Sequence, residues 1–468
     1  MNAKLKRPVK ALRSLLGASA MLMAGTCLAQ WGTYEKPFAT DSLWNSRPVN
    51  PVLAEFQIPP SQYSPAVSEG PYSTGAFLAK ASDQPMTIIG HPGRTGVWDP
   101  DAEVRRDITI PRWPADTVPA TGNDGHADIV DPISGVIHSL YQLKLVDGKW
   151  RASQYAWTRL NGRGWGDPAH YFQGARAAAV PSIAGIIRKH EVNDGDTMYR
   201  HALAMSLTYN GLAAKPTYVF PATSADSDAA TTNTGQVPEG ALLMLPASFD
   251  TARVRDPALR KVAETLKTYG AYVVDRNHGT PFVIYVENGS GFSLHKGGWN
   301  TATAADLDEI RKALRQVVSA SGWVDAQGRS FTPVRNLNRL SMRGPWTRRE
   351  GQSVGVYDTW KQAVVFTPGT AKVVQTNWSG RAANPVAWAA PVKGQQYRLT
   401  AVTTGGAQLR VQIVDKATSK FSYDSGDLAN GATTTFEWPL ESNYSVVTTA
   451  TNPAGAEGSV AGSLVAVD

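Results

Sequence analysis

His126, Asp128, His138, Tyr155, Trp157 and Arg159 follow one another along a single stretch of the chain. Imidazole, carboxylate, phenol and guanidinium groups serve acid–base and electrostatic catalysis. Flat aromatics beside polar groups suit sugars, whose rings offer apolar C–H faces to stack and hydroxyls to bond. The spacing reads as a three-strand meander. Asp147-Gly148 is a favoured two-residue hairpin turn joining residues 136–146 to 149–160, and Asp131-Pro-Ile-Ser-Gly135 joins 125–131 to the middle strand. Pairing across the first turn sets Leu145 opposite Trp150, His138 opposite Trp157 and Leu140 opposite Tyr155. Across the second it sets Val130 opposite Val136 and Asp128 opposite His138. Because side chains alternate faces, Ile129, Ile137, Tyr141, Leu143, Leu145 and Trp150 then share a core face. The six chemical groups share the other, which reads as the floor of a cleft. The alternative is a face covered by another segment that satisfies its polar groups.

His126-x-Asp128 with His138 could also hold zinc or iron, but the spacing matches no strong ligand motif, so neither metal nor cofactor is expected. Asp194-Gly195-Asp196 lacks further acidic ligands at loop spacing and reads as a turn. Gly351-Gln-Ser-Val-Gly355 matches the nucleophile-elbow string without the strand before it or the helix after it, and reads as chance.

The elements that must position these groups point to a mainly β fold, β-sandwich or jelly-roll-like, with a few peripheral helices in the first domain. Leu259, Val262, Ala263 and Leu266 share one helical face, and Leu307, Ile310, Leu314 and Val317 another. The second helix begins at Thr303-Ala-Ala-Asp306, which resembles a capping box. Residues 269–275 and 281–287 read as paired strands. Beyond about residue 345 only alternating segments remain, as in a small all-β sandwich. The expected organisation is a leader at 1–29, a catalytic domain at 30–345 and an accessory β-sandwich at 346–468, with the boundary between Leu340 and Gly351. Trp360, Trp378 and Trp388 are the accessory domain's candidates for carbohydrate binding.

At 468 residues with 42% apolar and 18% charged side chains, the chain is neither disordered nor coiled coil. Five of its +7 charges, Lys4, Lys6, Arg7, Lys10 and Arg13, stand in the first 29 residues, which hold no acid. Taking five from seven leaves +2, too little for a basic stripe, so no nucleic-acid partner is expected. Residues 15–24 form a short apolar run behind those charges, the pattern of a secretory signal cleaved before Gln30. A lipid-modified Cys27 is the alternative. Cys27 is the only cysteine, so the body holds no disulfide. No later stretch suits a membrane span, and a secreted or periplasmic location is expected.

Taken in order, several segments resemble a family of secreted bacterial proteins without an assigned activity. They are Asp41-Ser-Leu-Trp-Asn45, Gly122-Asn-Asp-Gly-His126, Ala184-Gly-Ile-Ile-Arg188 with Glu191, His201-Ala-Leu203, Pro238-Glu-Gly240 and Tyr269-Gly-Ala-Tyr-Val-Val-Asp275. The resemblance spans about residues 38–300 and implies that Asp124, His126, His201 and Asp275 occupy motif positions. A buried structural role for His201 fits its apolar surroundings equally well. The favoured reading is an exported enzyme that hydrolyses a polysaccharide with two carboxyl groups, Asp124 and Asp275, His126 positioning one of them. Asp128, His138, Tyr155, Trp157, Arg159 and His201 would bind substrate. One rival is a lyase with Tyr155 or His126 as base and Arg159 neutralising a uronate. Another is a non-catalytic carbohydrate-binding or cell-surface protein; a metal-dependent oxidase is the third.

Overall fold

The structure is a computed structural model that describes residues 1, 30–167, 170–295, 297–333, 346–348, 354–369, 372–375, 391–455 and 457–467. The expectations for the leader, for Trp378 and Trp388 and for most of the 340–351 boundary and the Gly351–Gly355 string lie outside these residues. Trp31–Asp468 form one unit.

The mainly β architecture holds, and three large sheets stand out among the six formed by the described residues. The first sheet has six, in the order β1 (Gly75–Leu78), β2 (Ala127–Asp131), β3 (Val136–Tyr141), β4 (Gln154–Arg159), Val97–Asp99 and Val104–Arg106. β1 runs parallel to β2, and β4 parallel to Val97–Asp99. The second sheet centres on β5 (Leu203–Thr208), β6 (Ala271–Asn277) and β7 (Phe282–Tyr285). Its order is Val52–Leu53, Arg315–Ser319, Leu242–Met244, β6, β5, β7, Ala66–Ser68. β6 and β7 do not pair with each other as expected, because β5 runs between them, parallel to β6 and antiparallel to β7.

The two sheets share one apolar layer. Ala76, Val130 and Ile137 from the first join Ala204, Tyr272, Val274 and Tyr285 from the second, with Trp44 stacked on Trp165 at 4.8 Å. The other face of the second sheet is covered by two helices, α1 (Pro257–Thr268) and α2 (Thr301–Ala313). Leu259, Val262, Leu266, Leu307 and Ile310 bury against Leu203, Met205 and Val273 there, each burial contributing roughly 1.5–3 kcal/mol. Asp256 caps α1, accepting the Leu259 N–H at 3.0 Å ahead of Pro257. Asn300, rather than the expected Thr303–Asp306 box, caps α2 through the N–H groups of Ala302 and Thr303. Asp306 is occupied instead by Arg255 at 2.6 Å. Leu314 is extended (ψ 135°) and ends α2. Val317, expected on that helix, therefore lies in the strand Arg315–Ser319.

Strands from Trp346 onward form a ten-stranded antiparallel order of their own. The segment Gln396–Thr404 alternates buried and exposed side chains, as a strand with one covered face must. Leu409 of one part lies so close to Gly462 of another that a Cβ there would stand 2.5 Å from Leu409 Cδ2. Any larger residue there would force the Leu409 side chain to shift.

Candidate functional site

The entry of β2 is pinned before its chemistry begins. Gly125 has φ +46°, and a Cβ on it would meet the Leu143 carbonyl at 2.9 Å. The Asp124 carbonyl accepts the Gln142 N–H at 2.6 Å, and that of Gly125 the Leu143 N–H at 3.0 Å. Gly125→Ala should therefore cost about 1–3 kcal/mol in a urea unfolding curve, from left-handed strain plus the clash. An unchanged midpoint would remove this account of the entry.

From that entry His126 and Asp128 point between the two sheets. His126 is buried, its Nδ1 3.2 Å from Ser182 Oγ and its ring 5.6 Å from that of Tyr141. Burial and the nearby Arg176 hold its pKa well below the ordinary value, so the ring is neutral at pH 7. Asp128 accepts the Ile183 N–H at 2.8 Å. Burial pushes its carboxyl up to about 7 against the donors around it.

Asp275 reaches the same region because β6 carries a bulge. Met205 pairs with Val273 but Ser206 with Asp275, so Val274 is the extra residue. Strict alternation would turn Asp275 toward the helices, with Ala271 and Val273; the bulge turns it to the side of Ser206 and Tyr285. There Arg176 Nη1 donates to Asp275 at 3.2 Å and to the Tyr72 carbonyl at 3.0 Å. The guanidinium sits 3.9 Å from the centre of the Tyr285 ring. Burial raises the Asp275 pKa to about 7, Asp226 and Asp124 adding to the rise and Arg176 opposing it. Its side chain keeps 14% exposure.

Four more acids complete the setting. Asp124 bonds the half-buried Tyr141, whose pKa rises to about 12 through burial and the fields of Asp124 and Asp275. Glu239 is buried and accepts the Asp226 N–H at 3.2 Å. Burial, then Asp226 and Asp275, push Glu239 well above its ordinary pKa. Arg276 holds Asp228 at 2.7 Å and Asp226 at 4.0 Å. The half-exposed Tyr72 ring lies against Gly122, two residues before Asp124. A carboxyl that keeps its proton near neutrality, beside other carboxylates and fixed by an arginine, is equipped for general acid catalysis.

The structure thus brings together Asp124, His126, Asp128 and Asp275. It adds Arg176, Tyr141, Tyr285, Asp226 and Glu239, which the sequence reading left out or, for Tyr141, assigned to the core. Arg176 sits in an irregular segment with no period to betray it. Pro238-Glu-Gly240 offered the only signal for Glu239.

His138, Tyr155, Trp157 and Arg159 lie on the opposite face of the first sheet. Pairings between β3 and β4 are those expected, but β2 is shifted by one residue. Val136 pairs with Asp131, and Ser139 rather than His138 with Asp128. Asp131 itself closes the turn, its Oδ1 accepting the N–H groups of Ile133 and Ser134, with Gly135 at φ +68°. That shift flips β2 relative to the expected set. It separates His138 from His126 and Asp128, so the zinc or iron grouping does not form. Ile129 and Ile137 fall on opposite faces, and Leu145 is exposed. His138 Nδ1 meets the Tyr155 hydroxyl at 2.9 Å, and burial lowers its pKa to about 4. Trp157 donates to the Thr359 carbonyl at 3.2 Å and stacks on Trp360 at 5.2 Å. A later segment covers this face. Only Arg159 remains exposed.

His201 belongs to a different network, its Nε2 3.2 Å from Glu191. Glu191 raises the His201 pKa against burial and is itself held down to about 2. The histidine's contribution is complete below about pH 6.5 and fades as pH rises through its raised value; the glutamate's is complete above about 4.5 and fades toward 2. His201→Ala should lower the melting temperature most between those limits, with turnover of the folded fraction intact. Loss of turnover at unchanged stability would place His201 in the site instead. Asp194 bonds Lys261 at 2.5 Å and the Asp196 N–H, as a turn does. Among the described residues, no group of three or more His, Cys, Asp or Glu side chains is placed to hold a metal, and no helix is long and apolar enough to cross a membrane.

No protein-family model and no curated protein sequence matches the chain. Local likenesses to solved structures exist. A glycosylation-associated protein complex of Streptococcus agalactiae is 12% identical at TM-score 0.17, over 22% of this chain and 39% of that one. The enzymatically active domain of bacteriophage CBA120 tailspike protein 4 is 10% identical at TM-score 0.16, over 22% and 15%. A family 29 carbohydrate-binding module in complex with mannohexaose is 11% identical at TM-score 0.17, over 28% and 93%. The chain spans well under two thirds of the first two.

Proposed function

We propose that this chain is an exported glycan hydrolase in which Asp275 is the general acid and Asp124 the partner carboxylate. The observation that carries the reading is the Asp275 carboxyl, fixed by Arg176, raised to about 7 by burial and by Asp226 and Asp124, and still 14% exposed. The Asp275 proton passes to the glycosidic oxygen as its bond to the anomeric carbon breaks. Asp124 either draws a proton from the attacking water or adds to the carbon itself. Tyr141 orients Asp124, and the exposed Tyr72 ring offers a surface on which a sugar can stack. Elimination fits less well, because Tyr141 and Tyr285 are both pushed away from the phenolate a base requires. Tyr155 and His126, the bases considered for a lyase, are both buried and on opposite faces of one sheet.

The test is a polysaccharide panel read for new reducing ends and for ultraviolet absorbance of unsaturated products. Reducing ends without absorbance support hydrolysis; absorbance, or no product at all, overturns it. The acid must be protonated, so turnover should fall about tenfold per pH unit above roughly 7. A flat kcat profile from pH 6 to 9 would exclude Asp275 as the acid.

A further inference from the structure

On the far side of the first sheet from Asp275, where β4 meets the strands beyond Trp346, lies a cavity of about 310 Å³. That is the size of a small-ligand pocket. Trp360 forms an aromatic wall, 37% exposed and stacked on the buried Trp157 with a 17° tilt. Its turn is held rigidly. Asp358 accepts the N–H groups of Trp360 and Lys361 at 2.9 and 3.2 Å, and Gln362 donates to Asp101 at 3.0 Å. Among the described residues the charged lining is Arg159, Arg163 and Lys361 against Asp167. Lys361 stands 3.7 Å from Glu457. Neither Arg159 nor Arg163 forms an ion pair among the described residues, although Asp167 lines the same cavity. A preformed aromatic plane edged by guanidinium groups that pair with no carboxylate among the described residues matches a ring that carries an anion.

We propose that this cavity is an ancillary binding site for an acidic sugar unit of a glycan. The sugar ring packs on Trp360, and Arg159 and Arg163 meet its carboxylate or sulfate. The site lies apart from Asp275 and does not depend on the hydrolytic reading. Calorimetry on the full chain carrying Asp275→Asn tests it without consuming the probe. Trigalacturonate and a sulfated trisaccharide distinguish the two anions, and cellotriose is the neutral control. At least one acidic probe should bind about tenfold more tightly than cellotriose, and binding should weaken with added salt. Arg159→Ala with Arg163→Ala should abolish that preference. Trp360→Ala should weaken binding about tenfold, and Trp360→Phe, which keeps an aromatic face on Trp157, should restore most of it. Equal binding of neutral and acidic probes, no binding, or an unchanged preference in the arginine double variant would overturn the proposal. A failure of hydrolysis would leave it standing.

Discussion

Asp275→Asn is expected to lower turnover by about 10²–10⁴-fold, the usual contribution of a general acid, while making the fold more stable at neutral pH. The sign follows from linkage. The Asp275 carboxyl titrates near 7 in the folded chain, against an ordinary value of 3.8. Folding then favours the protonated form, so stability is full below about 3.8 and declines as pH rises toward 7. Asparagine cannot ionise and removes that decline, though it also weakens the hold of Arg176. Activity lost with stability gained is the mark of a group kept for chemistry. Asp124→Asn should cost a similar factor in kcat. It should also move the alkaline limb downward, because the Asp124 charge helps hold the Asp275 proton. Kinetics across pH 5–9, paired with urea unfolding of each variant, would decide the matter. If both variants keep more than about a tenth of wild-type turnover, the pair is not catalytic.

The sequence was legible where a local signal sufficed. Leu259, Val262 and Leu266 lie on the buried side of α1, and Leu145 faces Trp150 across Asp147-Gly148. Asp124 and Asp275, both read from the sequence, stand near enough that the charge of Asp124 helps raise the Asp275 pKa. Illegible features were those set by one hydrogen bond or one extra residue. Asp131 carries its own turn, and that shortened the loop and carried His138 to the opposite face from Asp128. Val274 bulges, and that alone brings Asp275 to Arg176. Alternation in a sequence cannot reveal either event, since both leave the residue pattern intact and change only its phase. Arg176 was invisible for another reason. It acts from a segment without periodicity, and only tertiary packing over Tyr285 gives it a role.

Glu287→Ala is expected to destabilise the fold by about 3–5 kcal/mol. Arg188 is buried, 4% exposed, and its Nε donates to Glu287 at 2.7 Å. Nη1 donates to the Tyr34 carbonyl at 2.8 Å, and the guanidinium sits 4.7 Å from the centre of the Tyr34 ring. The Arg188 backbone N–H reaches Glu191 at 2.8 Å, and the Lys189 N–H reaches Glu287 at 3.1 Å. One carboxylate therefore neutralises a guanidinium that anchors the first segment of the body to the end of β7. Without Glu287 that cation stays desolvated, and the remaining acceptors are a carbonyl and an aromatic face. Glu287→Gln keeps the shape and an acceptor oxygen but not the charge, so it should cost less. Replacing both partners, Arg188→Met with Glu287→Leu, should recover much of the loss, because an apolar pair leaves no buried charge to compensate. Urea unfolding of Arg188→Met, Glu287→Leu and the double variant forms a thermodynamic cycle. If the double variant is as unstable as the sum of the singles, the two side chains act independently and the pair is not what joins Tyr34 to β7.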